Sequence, residues 1–195
     1  MQFTKFISSW NEMQNLKTPA HHEKMAAWLE DLHSSDSRHG ILLAFRNSGK
    51  STIVGLFAAW MLSIDPNTRI LVLAADHSLA KKMVRNVKRI IELHPETGDL
   101  RPIKKDQWAS DEFTVLREQE LRDPSMIAAG ISGNITGSRA DVIICDDVEV
   151  PKNCDSSIKR EELREKLSEL DFILSTTGMI LYIGTPHTYD TIYNV

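Results

Sequence analysis

The sequence predicts an α/β fold, a mainly parallel sheet flanked by helices, from three observations. Five apolar runs recur along the chain, at 41–45 (ILLAF), 70–74 (ILVLA), 126–129 (MIAA), 142–145 (VIIC) and 179–183 (MILYI). They are continuous rather than alternating, which suits strands buried on both faces. Segments with helical periodicity lie between them, as a parallel sheet needs for its crossovers. The length of 195 residues accommodates one well-packed domain, so 1–195 reads as a single domain with 1–18 as an N-terminal extension.

The elements follow in order. Thr18-Pro19 is a cap and a first-turn proline, after which Met25, Trp28, Leu29 and Leu32 share one helical face. A second helix starts at Ser51 and stops before the turn signal Asp65-Pro66-Asn67. In the third, Leu79, Ala80, Met83, Val84, Val87, Ile90 and Ile91 form one apolar stripe. Lys81, Lys82, Arg85, Lys88 and Arg89 lie opposite; a solvated charged face is the first reading and a contact with DNA phosphate the second. The polar stretch 92–125, with Pro95, Gly98 and Pro102, reads as a loop with short strands such as 113–116. A fourth helix is expected over 155–173, carrying Leu163, Leu167 and Leu170 toward one edge of the sheet.

Composition excludes several classes. Lys plus Arg number 23 and Asp plus Glu 27, a net charge of −4, with 42% hydrophobic and 26% charged residues, the balance of a folded domain rather than a disordered or collagenous chain. No apolar stretch approaches the length of a membrane span, and Met1-Gln2-Phe3-Thr4-Lys5 opens neither a signal nor a transit peptide, which predicts a cytoplasmic protein without a membrane partner. The mild acidity argues against a broad grip on nucleic acid, so any DNA contact is local. Cys145 and Cys154 read as reduced thiols. The seven histidines share no ligand spacing, and His21 and His22, adjacent on a helix, are expected to point in different directions. Trp10, Trp28, Trp60 and Trp108 are scattered and read as packing residues.

Two motifs carry chemistry. Ala44-Phe45-Arg46-Asn47-Ser48-Gly49-Lys50-Ser51-Thr52 follows a strand and opens a helix, the context of a phosphate-binding (Walker A) loop. Its backbone N–H groups would cradle the phosphates of ATP at a helix N-terminus, with Lys50 reaching the β- and γ-phosphates and Ser51 ligating Mg²⁺. Gly49 permits close approach, and Ala44 stands where the usual pattern has its leading glycine. Arg46 adds a second positive charge that could stabilise the γ-phosphoryl group, or it is a surface arginine. Asp146-Asp147, after the run 142–145, forms a Walker B pair at the C-terminal end of a strand, where ligands sit in open α/β sheets. Asp146 is assigned to Mg²⁺ and Asp147 to the attacking water, with Glu149 the competitor because residue i+2 of an extended chain points to the same side. The strand 179–183 then runs into Gly184-Thr185-Pro186, whose hydroxyl could contact the γ-phosphate or that water.

The loop Phe45 to Ser51, the run Thr136-Gly137-Ser138-Arg139-Ala140-Asp141 continuing through Asp146-Asp147-Val148-Glu149-Val150-Pro151, and Leu181-Tyr182-Ile183-Gly184-Thr185-Pro186 resemble the ATPase half of the large terminase subunit of tailed phages, in particular the type called DNA maturase B. The resemblance runs from about His21 to the end. It implies a P-loop NTPase of the ASCE (RecA-like) type, a hydrolase that uses ATP and Mg²⁺ to drive double-stranded DNA into a procapsid. The implied setting is a homo-oligomeric ring at the portal protein, with the small terminase subunit as partner, in the cytoplasm of a bacterial host. The family's γ-phosphate-sensing arginine falls on Arg46 and its coupling motif on Thr185. Its trans-acting arginine has Arg139 as candidate, with pairing to a nearby acid as the alternative. The family's C-terminal nuclease domain has no counterpart in 1–195, so no nuclease activity is expected. Two other functions compete: a helicase-like translocase fragment, and an ATP-binding module inactive without its ring partners.

Overall fold

The computed structural model describes residues 1–195 other than 104–106, 134, 136, 188 and 195; Thr136, quoted above, lies outside the described residues. The elements are α1 (Phe3–Met13), α2 (Ala20–Ser34), β1 (His39–Leu43), α3 (Lys50–Ile64), β2 (Ile70–Ala74), α4 (His77–Leu93), β3 (Glu112–Phe113), β4 (Met126–Gly130), β5 (Ala140–Asp146), α5 (Pro151–Cys154), α6 (Ser157–Ser168), α7 (Leu170–Ile173) and β6 (Leu174–Gly184). They build a six-stranded sheet in the order β1-β6-β5-β2-β4-β3. Every pairing is parallel except that of β3 with β4.

The larger core lies between the sheet and α1 to α4, and a second lies beneath α6 and α7 on the other face, so the apolar strand runs are covered from both sides. α3 is apolar almost all round and is buried continuously from Ile53 to Leu62, as befits a helix enclosed by α1, α2, α4 and the sheet. α4 keeps its stripe buried at Ala80, Met83, Val84, Val87, Ile90 and Ile91. Its start is fixed by Asp76, whose carboxylate accepts from the Leu79 N–H at 3.0 Å, a cap not anticipated from the sequence. The four tryptophans pack on the larger core.

Three local expectations need correction. α1 is no appendage, because Phe3, Phe6 and Ile7 are buried in the same core as the central helix. Phe3 sits 5.2 Å from Phe57 between ring centroids, and Phe6 stacks on His94 at 3.6 Å. Thr18 does not cap α2, which begins after Pro19 without a side-chain cap; the Thr18 hydroxyl instead accepts from Asn11 Nδ2 at 2.8 Å. The helix expected over 155–173 is divided into α6 and α7, and α5 precedes it. The division lets Leu163 and Leu167 meet the sheet from α6 while Leu170 and Ile173 meet it from α7, at the entry to β6.

Phe6→Ala is expected to destabilise the whole domain by about 3–5 kcal/mol in urea unfolding, the cost of an emptied aromatic site in a packed core. A separable N-terminal segment would leave the midpoint unchanged.

Candidate active site

Parallel pairing brings three strand ends to one edge of the sheet. Leu43 is level with Gly184, and Asp146 with Ile183, so the exits of β1, β6 and β5 are neighbours. The exit of β1 is the loop 44–49, that of β6 is Thr185, and that of β5 is Asp146-Asp147. β1 ends at Leu43, two residues before the apolar run does, so Ala44 and Phe45 belong to the loop.

The loop's backbone leaves the right-handed region twice. Asn47 (φ 65°) and Gly49 (φ 79°) both take left-handed conformations, and α3 begins directly at Lys50. Lys50 is nearly buried, at 8% exposure, and its ammonium donates to Thr185 Oγ1 at 3.2 Å. Thr185 Oγ1 in turn donates to the Ala44 carbonyl at 3.3 Å, so the lysine, the loop entry and the end of β6 are linked through one hydroxyl. Gly184 has no side chain for a packing reason. A Cβ there would collide with the hydroxyl end of the buried Tyr193.

On the other side of β6, Asp147 also takes a left-handed conformation (φ 47°), and its N–H donates to Ile183 O at 2.8 Å. Asn153 braces this turn by accepting from Val150 N–H and donating to Val148 O, each at 2.8 Å. Asp146, Asp147, Arg46, Ser51 and Thr52 all line one cavity of about 480 Å³. Burial, then the Asp147 charge, pushes the Asp146 carboxyl up to about 6, against the opposing pull of Lys50 and Ser51. One oxygen, Asp146 Oδ1, is buried with no hydrogen-bond partner among the described residues. A half-buried carboxylate with one buried, unused oxygen, beside a serine hydroxyl, is a donor set that suits a hard divalent cation such as Mg²⁺.

The sequence alone did not point to several contributors. α4 lends Leu79, Lys82, Met83 and Asn86 to the same cavity, so one exposed lysine of its basic face stands at the cavity wall. Elsewhere on that face Lys81 pairs with Asp111 at 3.3 Å and Lys88 donates to Trp108 O at 2.8 Å. His21 and His22, expected to diverge, converge on the loop: both Nε2 atoms lie on the Ser48 carbonyl oxygen, at 3.1 and 2.8 Å.

Glu149 departs from the expectation that it shares a side with Asp147. The left-handed turn at Asp147 breaks the extended chain, and Glu149 is fully buried away from the cavity. Its carboxylate accepts from Thr191 Oγ1 at 2.9 Å, from Ile192 N–H at 2.9 Å and from His187 N–H at 3.2 Å. Arg139 is exposed at the start of β5, the opposite end of the strand from Asp146. There it lines a separate cavity with Arg122, Ser138, Glu169 and Phe172. No ion pair to Arg139 occurs among the described residues.

Known proteins resemble this chain in sequence and in fold. Residues 41–160 match the family described as terminase large subunit, T4likevirus-type, N-terminal. The large terminase subunit of Enterobacteria phage T3 is 37% identical over 164 residues, 83% of this chain and 28% of the relative, so the chain spans under a third of that protein's length. Among solved structures, the HK97 bacteriophage large terminase is similar with a TM-score of 0.59 at 14% identity, covering 87% of this chain and 33% of that one. The large terminase ATPase domain of Thermus phage P74-26, in a variant form, gives 0.54 at 18%, covering 92% and 69%. Saccharomyces cerevisiae Dbp5, in a complex that includes ADP, gives 0.55 at 12%, covering 94% and 46%. At these identities the structural likenesses show the fold, and the sequence match shows the lineage: the chain belongs to the phage terminase large subunit family, in the N-terminal region of its members.

Proposed function

We propose that this domain hydrolyses ATP as the motor of a DNA-packaging terminase, acting on double-stranded viral DNA in a ring at the portal protein with the small terminase subunit, in the cytoplasm of a bacterial host. The observation that carries the reading is the meeting of Lys50, Thr185, Asp146 and Asp147 at the aligned ends of three adjacent parallel strands. Ser51 and Asp146 would hold Mg²⁺, which when bound neutralises charge on the phosphates.

Each residue then has a distinct task. The loop 44–52 offers backbone N–H groups, and Lys50 adds a fixed positive charge for the β- and γ-phosphates. Asp147, on the cavity wall, orients the attacking water and accepts its proton. Arg46 lines the same cavity and stabilises charge on the transferred group, with Lys82 facing it from α4. Thr185 reads the state of Lys50 through their shared hydrogen bond and passes it to β6. Glu149, held by three partners, serves the architecture of the site instead of the chemistry. A second reading, an ATP-binding module that awaits its neighbours, is favoured by Arg139: its place at the far end of β5 suits action only on another copy's nucleotide.

Substitutions at four residues test this. Lys50→Ala is expected to abolish Mg²⁺-dependent ATP turnover, and a normal rate in that variant removes the assignment. Asp147→Asn should lower turnover by about 10²–10⁴-fold with nucleotide binding retained. Glu149→Gln should instead lower the melting temperature, and the reverse pattern transfers the catalytic role to Glu149. For Asp146 the sign follows from its raised pKa: the neutral carboxyl prevails below about 6, so Mg²⁺ affinity should fall as pH drops through that value. Holding the charged form at neutral pH costs stability, so Asp146→Asn without Mg²⁺ should stabilise the fold at pH 7.5, by roughly 2–3 kcal/mol at most, while ending turnover. An unchanged or lower melting temperature contradicts this account of Asp146.

A further inference from the structure

The first turn of α2 lies against the phosphate loop in an arrangement that general helix geometry does not explain. Neighbouring helical residues diverge by about 100°, yet the His21 and His22 rings meet edge to face with centroids 4.4 Å apart and share a single acceptor. That acceptor, the Ser48 carbonyl oxygen, can only accept, and has two lone pairs for two donors. Both Nε2 atoms therefore carry their protons, which fixes the tautomer of each neutral ring.

The geometry of the peptide gives these bonds a direction. No cis peptide occurs among the described residues, so the Gly49 N–H points opposite to the Ser48 carbonyl, away from the histidines. A second, independent contact lies on the same residue: a Cβ on Gly49 would fall 2.5 Å from His22 Nε2. The absent side chain at position 49 thus makes room for the imidazole as well as for the left-handed backbone, whose φ is 79°. A glycine beside a left-handed Asn47 has many alternative backbone states, and a flip of the Ser48–Gly49 peptide would turn a carbonyl toward the phosphates in place of an N–H.

We propose that His21 and His22 are positioning residues, a two-point clamp that holds the Ser48–Gly49 peptide with its N–H presented to a phosphate oxygen of the nucleotide. The inference rests on the nucleotide reading above and deepens it. The clamp acts before binding, so its contribution is to affinity: the entropy of ordering the loop is lost on folding, ahead of the encounter with nucleotide.

The test is isothermal titration with ADP and Mg²⁺ on four proteins: wild type, His21→Ala/His22→Ala, His21→Gln/His22→Gln and His21→Phe/His22→Phe, each checked by thermal melting. The alanine pair should bind ADP about ten- to a hundredfold more weakly, with the maximal ATPase rate at saturating ATP reduced far less. Glutamine carries an amide N–H at similar reach and should recover most of the affinity. Phenylalanine keeps a ring over Gly49 without a donor and should not. Wild-type affinity in the alanine pair overturns the clamp, as does rescue by phenylalanine but not glutamine, which would make the rings simple packing. Should the alanine pair fail to fold, the glutamine and phenylalanine pairs decide by the same criterion. Failure of the wild-type chain to bind ADP, with Lys50→Ala no different, overturns the nucleotide reading itself and the clamp with it.

Discussion

Strand β6 pairs in parallel with β1 on one side and β5 on the other, and the candidate site depends on that double pairing. Parallel strands share a direction, so their exits fall at one edge, and the register decides which residues meet there. A one-residue slip of β6 would carry Thr185 away from Lys50 and turn every inward side chain of the strand to the opposite face. The requirement reaches into the core, where the apolar residues of β5 and β6 between α3 on one face and α6 and α7 on the other hold the register.

The site itself is locally unfavourable and is sustained by that frame. Asn47 and Asp147, neither of them glycine, sit at positive φ, and Asp146 is a half-buried acid with one buried, unused oxygen next to a second acid. Such conformations and charges cost free energy in isolation and persist only where the surroundings over-determine them. Here the surroundings are identifiable: the Asn153 brace at 148–150, the Ile183 carbonyl under Asp147, and the Lys50–Thr185–Ala44 linkage. The unfavourable terms gather on the side of the sheet where a polyanion and a cation would offset them.

Much of this was legible in the sequence because the physics is local. Continuous apolar runs gave the strands, and the placement of Gly49-Lys50-Ser51 and Asp146-Asp147 directly after two of them gave the strand ends. What escaped was set by tertiary contact. The helical residues Phe3, Phe6 and Ile7 precede the first recognisable cap, and only the core around α3 reveals them as interior. Glu149 looked equivalent to Asp147 by the two-residue period of a strand, a period that stops holding at the left-handed turn. His21 and His22 diverge on any helical projection, and their convergence depends on where the loop carbonyl happens to lie. Lys82 looked like one cation among five, and only its place on the cavity wall, a tertiary fact, separates it from the others.

Glu149 gives the end of the described chain a mechanical meaning. Its carboxylate is fully buried, and the groups that satisfy it all come from 187–192. Peeling that segment away would leave a buried carboxyl without its hydrogen-bond partners, at the desolvation cost of its oxygens. The stretch following β6 is therefore latched to the stretch following β5, two residues beyond the carboxylate that faces the cavity. One buried carboxyl thus holds the segment after β6 and the turn at Asp147 together, in addition to the pairing of β5 with β6.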